Sequence, residues 1–235
     1  MFYSLLNKCG KLIRGESFDI DTKIPARYLI NLSITYVLAY LRGVLSFGLT
    51  HRRIFVGSAT MLLCKNKFIF KGRNIKFARN CYIDALSLNG IVFGNNISIQ
   101  KNVSIECTGS INDIGVGLVL GDSVGIGSSS FLGCAGGLKI GDDTIIGNFV
   151  SFHSENHNFD NPNIPIRLQG VTRKGIVIGK NCWIGAKVTV LDGTVVGDNC
   201  VVAAGAVLNG LAYETGSIIA GIPGKVVKKI NHENS

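Results

Sequence analysis

An aliphatic residue returns every six positions through the second half of the chain, at Ile178, Ile184, Val190, Val196, Val202 and Leu208. The position after it is usually Gly or another small residue, as in Ile178-Gly179, Ile184-Gly185 and Val196-Gly197. A period of six is neither helical nor the simple alternation of a strand over so long a stretch. It predicts a coil in which each six-residue unit makes one flat side, a hexapeptide β-helix. The same beat runs through Ile140, Ile146 and Phe152, through Leu120, Ile126 and Leu132, through Phe93, Ile99 and Ile105, and at Phe77 and Ile83. Irregular pieces at roughly 106–119, 133–139 and 153–177 separate these blocks. A solenoid throws such pieces outward as loops from a corner.

The two ends depart from the beat. Residues 1–56 read as helical, and the stretch from Ile24 to Leu45 is the most apolar in the chain. Its uncharged run between Arg27 and Arg42 is 14 residues, short of the ~20 that a spanning helix needs. It reads either as a core helix covering the end of the coil or as an interfacial helix on a membrane. The cations that follow, from Arg42, His51, Arg52 and Arg53 to Lys76 and Arg79, either suit anionic lipid or form a solvated basic face. At the other end, Pro223 stops the strand-like run. The basic tail after it is expected to cap the open coil as a short helix, because a bare end exposes apolar surface and strand edges. The predicted plan is an all-β solenoid over 57–216 with an extruded loop at 153–177, a helical segment over 1–56, and a cap and tail over 217–235.

Composition supports the coil. The chain of 235 residues has 30 Gly and only 4 Pro, which suits many tight corners. A net charge of +9 attracts anionic lipid, phosphorylated small molecules or nucleic acid, and nucleic acid is not among the expected partners. Seven cysteines, at 9, 64, 81, 107, 134, 182 and 200, contain no CxxC pair. An odd count without paired spacing argues against a zinc site or a disulfide framework, and for a reducing compartment. Cys182 and Cys200, 18 apart, are expected to stack as small buried thiols. No secretory signal is visible at the start. Gly115-Val-Gly117 and Gly125-Ile-Gly127 match neither a dinucleotide fingerprint nor a P-loop.

The chemistry concentrates in the longest interruption, Ser151-Phe-His153-Ser-Glu155-Asn-His157-Asn-Phe-Asp160, which carries two of the four histidines. Loops on a rigid scaffold are where function collects, and imidazole is the usual base near neutral pH. Asp160 or Glu155 would orient it. No nucleophile elbow is present, so direct attack by an acceptor on an acyl donor is the economical mechanism. A metal site is the alternative, with His153 and His157 four apart. The two remaining histidines, His51 and His232, lie outside the coil, which disfavours a three-imidazole zinc centre.

The hexapeptide run, the loop His157-Asn-Phe-Asp160, the following Ile178-Gly-Lys-Asn-Cys-Trp183-Ile-Gly-Ala and the ending Ala220-Gly-Ile-Pro223-Gly-Lys-Val-Val-Lys resemble the hexapeptide-repeat acyltransferases. Most similar are the maltose, galactoside and virginiamycin acetyltransferase group and the bacterial polysaccharide O-acetyltransferases. The resemblance covers about 93–230. It implies a left-handed parallel β-helix, a homotrimer, and acetyl-CoA held between subunits, with no metal. It implies His157 as the base, in preference to His153, with Asp160 setting its tautomer. Trp183 would line the site, Gly185, Ala186 and Ala204 would meet the pantetheine arm, and Lys225 and Lys228 the CoA phosphates. His153 and Asn156 would face the acceptor. Ser128 and Ser129 stand near the place of an acceptor-binding Asn, and Asn209-Gly210 replaces a basic residue of the pattern. The expected activity is acetyl transfer from acetyl-CoA to a sugar hydroxyl of a surface polysaccharide or its lipid-linked precursor, in the cytoplasm at the inner face of the membrane. Acetylation of another small acceptor and a non-catalytic scaffold are the alternatives.

Overall fold

The structure, a computed structural model, describes residue 7, residues 19–50 and residues 52–230. Most of residues 1–18, with Cys9, and also His51 and His232, lie outside the described residues.

From Ile54 onward the chain winds as a three-sided parallel β-helix. Sheet A has nine strands, from Ile54–Val56 to Lys225–Lys229. Sheet B has seven, from Met61–Leu63 to Val207–Asn209, and sheet C has seven, from Phe68–Phe70 to Ala212–Tyr213. Within the coil each strand pairs in parallel with the strand one coil away, as in Ile184 beside Val202. That step is 18 residues, three sides of six. Between Ile146 and Ile184 it is 38, and the surplus of 20 is the extruded loop.

Every residue of the six-residue beat points inward and is buried, from Phe77 and Ile83 to Val202 and Leu208. Each such aliphatic side chain contributes about 1.5–3 kcal/mol by leaving water. Cys81, Cys107, Cys134, Cys182 and Cys200 are free and buried in this core. Burial pushes the Cys182 thiol up to about 11, and the five buried thiols fill space in the core as packing groups.

The first strand, Ile54–Val56, begins just before the expected boundary at 57. Helix α1 covers Ala26–Phe47 and ends at Gly48, whose left-handed φ of 78° lets its amide reach the Val44 carbonyl at 2.8 Å. The chain divides into two compact units between Ala39 and Tyr40, inside this helix. In the larger unit the end of the helix lies on the first coil. Tyr40 packs on Phe55 with ring centroids 5.8 Å apart, and Phe47 on Phe70 at 4.9 Å. Gly43 is required there, since a Cβ would lie 1.9 Å from the Ile54 carbonyl oxygen. At 22 residues, α1 is long and apolar enough to cross a membrane by length and composition. The 14-residue uncharged run understated it, because Arg27 and Arg42 both lie within the helix.

The tail is not the expected helix. Lys225–Lys229 forms a strand that returns antiparallel on Ser217–Ala220, which still belongs to sheet A. The sheet edge offers unpaired backbone groups, and Val226-Val227 favours the extended state. The Tyr213 hydroxyl donates to the Gly224 carbonyl at 3.0 Å and closes the end.

Candidate active site

The three expected interruptions are among the excursions that leave the coil at one corner, between sheets B and C. They follow Ser104–Glu106, Phe131–Gly133 and Ser151–His153, and return at Leu118–Leu120, Leu138–Ile140 and Ile176–Ile178. The longest is thus 154–175, narrower than expected because His153, Ile176 and Val177 are strand residues. It opens as a hairpin in which Asn156–His157 pairs antiparallel with Val171–Thr172.

Its feet are fixed by polar groups. The buried Ser154 hydroxyl donates to the Gly133 carbonyl at 2.8 Å and accepts the Gly136 amide at 2.9 Å. Arg173 donates to Glu155 at 3.0 Å and pairs with Asp113 at 3.1 Å, so it joins both feet to the neighbouring excursion. The buried Asp192 carboxylate accepts the amides of Lys174 and Gly175 at 2.9 and 2.8 Å, where the chain re-enters the coil. At the tip, the Gln169 side chain donates to the carbonyls of Asn161 and Ile164 at 2.8 and 2.7 Å.

On this frame His157 is exposed, as are Asn156 and Asp160. Among the described residues no hydrogen bond reaches the His157 ring, from Asp160 or from any other group. Glu155 is committed to Arg173 and is therefore not the orienting carboxylate. His153 differs in kind. It ends a strand of sheet B, its ring lies 5.5 Å from that of Phe131, and desolvation there lowers its pKa below the usual imidazole value. Beside the loop's root a shallow groove of about 250 Å³ runs along sheet C, lined by Val119, Leu138, Val177, Lys139 and Lys174.

The other predicted residues occupy a different edge. Trp183 stands on the outer face of sheet A, 57 % exposed. Its row continues in register through Val201 and Ile218 to Lys228. Lys225 lies on the same terminal strand. Beside this row runs the corner between sheets A and B, where Ser128, Asn148, Ala186 and Ala204 stack. The Ser128 amide is capped by the Asn148 side chain at 2.8 Å. The amides of Asn148, Ala186 and Ala204 form no hydrogen bond among the described residues. Capping of the first two would need an acceptor side chain one coil on, where Ala186 and Ala204 offer only methyl groups. The Ser58, Arg79 and Lys101 amides of the first coils are likewise unbonded, and the next positions there, Arg79, Lys101 and Ser128, provide no cap. Gly185 is buried, and a Cβ on it would lie 2.6 Å from the Ala204 nitrogen. Its missing side chain lets the coils stack closely. Ser129 takes the left-handed turn position with φ 59°.

One chain therefore does not gather the predicted site. The loop with His153, Asn156, His157 and Asp160 sits at the corner between sheets B and C. Trp183, Ala186, Ala204, Ser128 and Ser129 sit on sheet A and at its corner with sheet B. Sequence reasoning missed Arg173 and Asp192. The available signal was a pair of opposite charges, Glu155 and Arg173, at the two feet of one interruption. Among the described residues no group of three or more His, Cys, Asp or Glu side chains could hold a metal ion.

Comparison with known proteins agrees with this architecture. Residues 175–210 match the family described as "Bacterial transferase hexapeptide (six repeats)". The chain is 32 % identical over 169 residues to the "Putative lipopolysaccharide biosynthesis O-acetyl transferase WbbJ" of Escherichia coli K12, covering 67 % of this chain and 83 % of that protein. It is 38 % identical over 56 residues to the galactoside O-acetyltransferase of the same organism, covering 24 % and 27 % of the two chains. A mutant of AntD, an N-acyltransferase from Bacillus cereus solved with dTDP and coenzyme A, superposes with a TM-score of 0.57 at 19 % identity, over 71 % of this chain and 85 % of that one. That last likeness is one of fold. By its repeat and its similarity to WbbJ, the chain belongs to the hexapeptide-repeat acetyltransferases.

Proposed function

We propose that the chain transfers an acetyl group from acetyl-CoA to a sugar hydroxyl of a bacterial surface polysaccharide or its lipid-linked precursor. The observation that carries this reading is an exposed imidazole on a braced loop together with an open column of amides on another edge. The N–H groups of Ala186 and Ala204 suit the amide-bearing pantetheine arm. Trp183 offers a flat apolar wall, and Lys225 and Lys228 are point charges for phosphates. From Trp183 to Lys228 is three strand steps, about 14 Å, a length that an extended pantetheine can follow. Similarity to WbbJ, named for lipopolysaccharide biosynthesis, supports the acceptor class.

His157 and the amide column lie on different edges of one prism, so the site closes only where the loop of one copy meets the strip of the next. This supports a homotrimer. The six-residue sides, three to a coil of 18 residues, support reading the coil as left-handed, as in the hexapeptide family. In the closed site His157 removes the acceptor hydroxyl proton as the oxygen bonds to the thioester carbonyl carbon. The tetrahedral intermediate collapses by breaking the C–S bond, and the imidazolium returns its proton to the CoA thiolate. Asp160 orients His157 once the partner copy shapes the loop. His153, Asn156, Ser128 and Ser129 contact the acceptor. The cytoplasm, where acetyl-CoA is made, is the place of reaction.

The test is incubation of the protein with acetyl-CoA and extracted glycan, followed by free thiol release and mass spectrometry of the glycan. Failure to bind CoA, or CoA binding without acetylation of any glycan, overturns the reading. The shared site has its own test. Chains carrying His157→Ala, unfolded and refolded together with chains carrying Ala204→Asp, should regain part of the activity, since some interfaces then pair two intact halves. No recovery in verified mixed oligomers would place the whole site within one chain.

A further inference from the structure

Charge is distributed very unevenly along the chain. Residues 22–83 hold eleven Lys and Arg and no Asp or Glu, whereas the whole chain has a net charge of +9. The remaining residues thus sum to 9 − 11 = −2. This stretch comprises α1 and the first coils. Arg53, Lys65, Lys71, Arg73 and Arg79 are exposed on those coils and form no salt bridge among the described residues.

The same stretch holds the most exposed apolar element. Val37 is 59 % exposed and Leu45 86 %, with Tyr28, Ile34 and Leu41 also over half exposed. The polar side chains of this helix are partly masked. Ser33 donates back to the Leu29 carbonyl and Thr35 to that of Asn31, each at 2.8 Å. Hydroxyls spent in this way enter an apolar medium at lower cost. A helix apolar around most of its girth demands a nonpolar surrounding, and cations flanking it in sequence demand an anionic one. A bilayer with anionic lipid supplies both. A second copy of this chain fits less well, because two such ends would set cations against cations. Nucleic acid would meet the charge and leave the helix uncovered.

We propose that the end of α1 from Tyr40 onward, with its exposed Leu41 and Leu45, and the cationic first coils of the same unit dock the protein on an anionic lipid bilayer. The docking is independent of the acetyl acceptor. The test is flotation of the full-length protein with vesicles of phosphatidylcholine, alone or mixed equally with phosphatidylglycerol. Binding should be strong only to the mixed vesicles and should weaken as salt is raised. Replacing the exposed coil cations together (Lys65→Gln, Lys71→Gln, Arg73→Gln, Arg79→Gln) should weaken partition roughly fivefold per charge. Leu45→Asp, at a position already in water, should reduce binding to all vesicles while the circular dichroism stays that of the parent. The proposal is overturned if the protein does not float with anionic vesicles, or if the fourfold variant floats like the parent. It is also overturned if a duplex oligonucleotide is bound in preference to vesicles, or if Leu45→Asp dissolves a dimer and changes nothing else.

Discussion

Two corners of the same coil end their strands alike and are finished differently. At the corner between sheets C and A, the amides of Arg73, Asn95, Asp122 and Lys180 are capped by Asn95, Asp122, Asp142 and Asp198 of the following coil, at 2.7–3.2 Å. Among the described residues Asp142, opposite Lys180, and Asp198, opposite Thr215, break the series. At the corner between sheets A and B, among the described residues, the Ser128 amide alone is capped, by Asn148, and those of Ser58, Arg79, Lys101, Asn148, Ala186 and Ala204 are not. A corner that only has to fold satisfies its amides with neighbouring side chains. The uncapped amides of Ala186 and Ala204, next to an exposed Trp183, are donors that no group of the described chain takes up.

Four changes test that difference. His157→Ala removes the base and leaves both corners intact. Turnover should fall by about 10²–10⁴-fold while acetyl-CoA binding by calorimetry is unchanged, and a matching loss of binding would mean that the open corner is not the donor site. Ala204→Asp imposes the first corner's solution on the second, since a carboxylate there would accept the Ala186 amide. The KM for acetyl-CoA should rise on the order of 10–100-fold, as expected for one lost hydrogen bond plus steric cover, with the melting temperature kept. Asp122→Ala makes the opposite change. It uncaps Asn95 and should cost about 1 kcal/mol of stability in denaturant titration without altering KM.

The smallest effect concerns pH. The hydrogen bond from Lys180 holds the Asp142 carboxyl below its ordinary value of 3.8, helped by the Asp122 amide. A depressed carboxylate pKa contributes stability that is present above 3.8 and is lost as pH falls through the lower native value. Asp142→Asn keeps the oxygen that caps Asp122 and loses the ion pair. It should be slightly less stable than the parent at neutral pH, and the two melting curves should converge below pH 3.8. A gap unchanged by pH would show that the exposed pair contributes nothing.

The core was legible throughout. Each position of the six-residue beat is buried, because a residue returning once per side of a three-sided coil can face only inward. Cys182 and Cys200 stack as their spacing of 18 required. The loop and its histidines were legible as the longest break in a regular pattern. Less legible were the parts that depend on partners distant along the chain. The tail forms a strand because the last edge of sheet A stands ready to pair with it, which local basic composition does not reveal. Glu155 looked like an orienting carboxylate until Arg173, 18 residues on, took it.

The sequence by itself determined the period, the inward face and the place of the interruption, since all three are local and repeat along the chain. Only the tertiary structure decided which edge each candidate occupies. Stacking turns a separation of 18 residues into adjacency, and it carries His157 and Trp183, 26 positions apart, to different edges of the prism. It also left the amides of Ala186 and Ala204 bare, because whether a backbone group is satisfied depends on what the next coil places beside it.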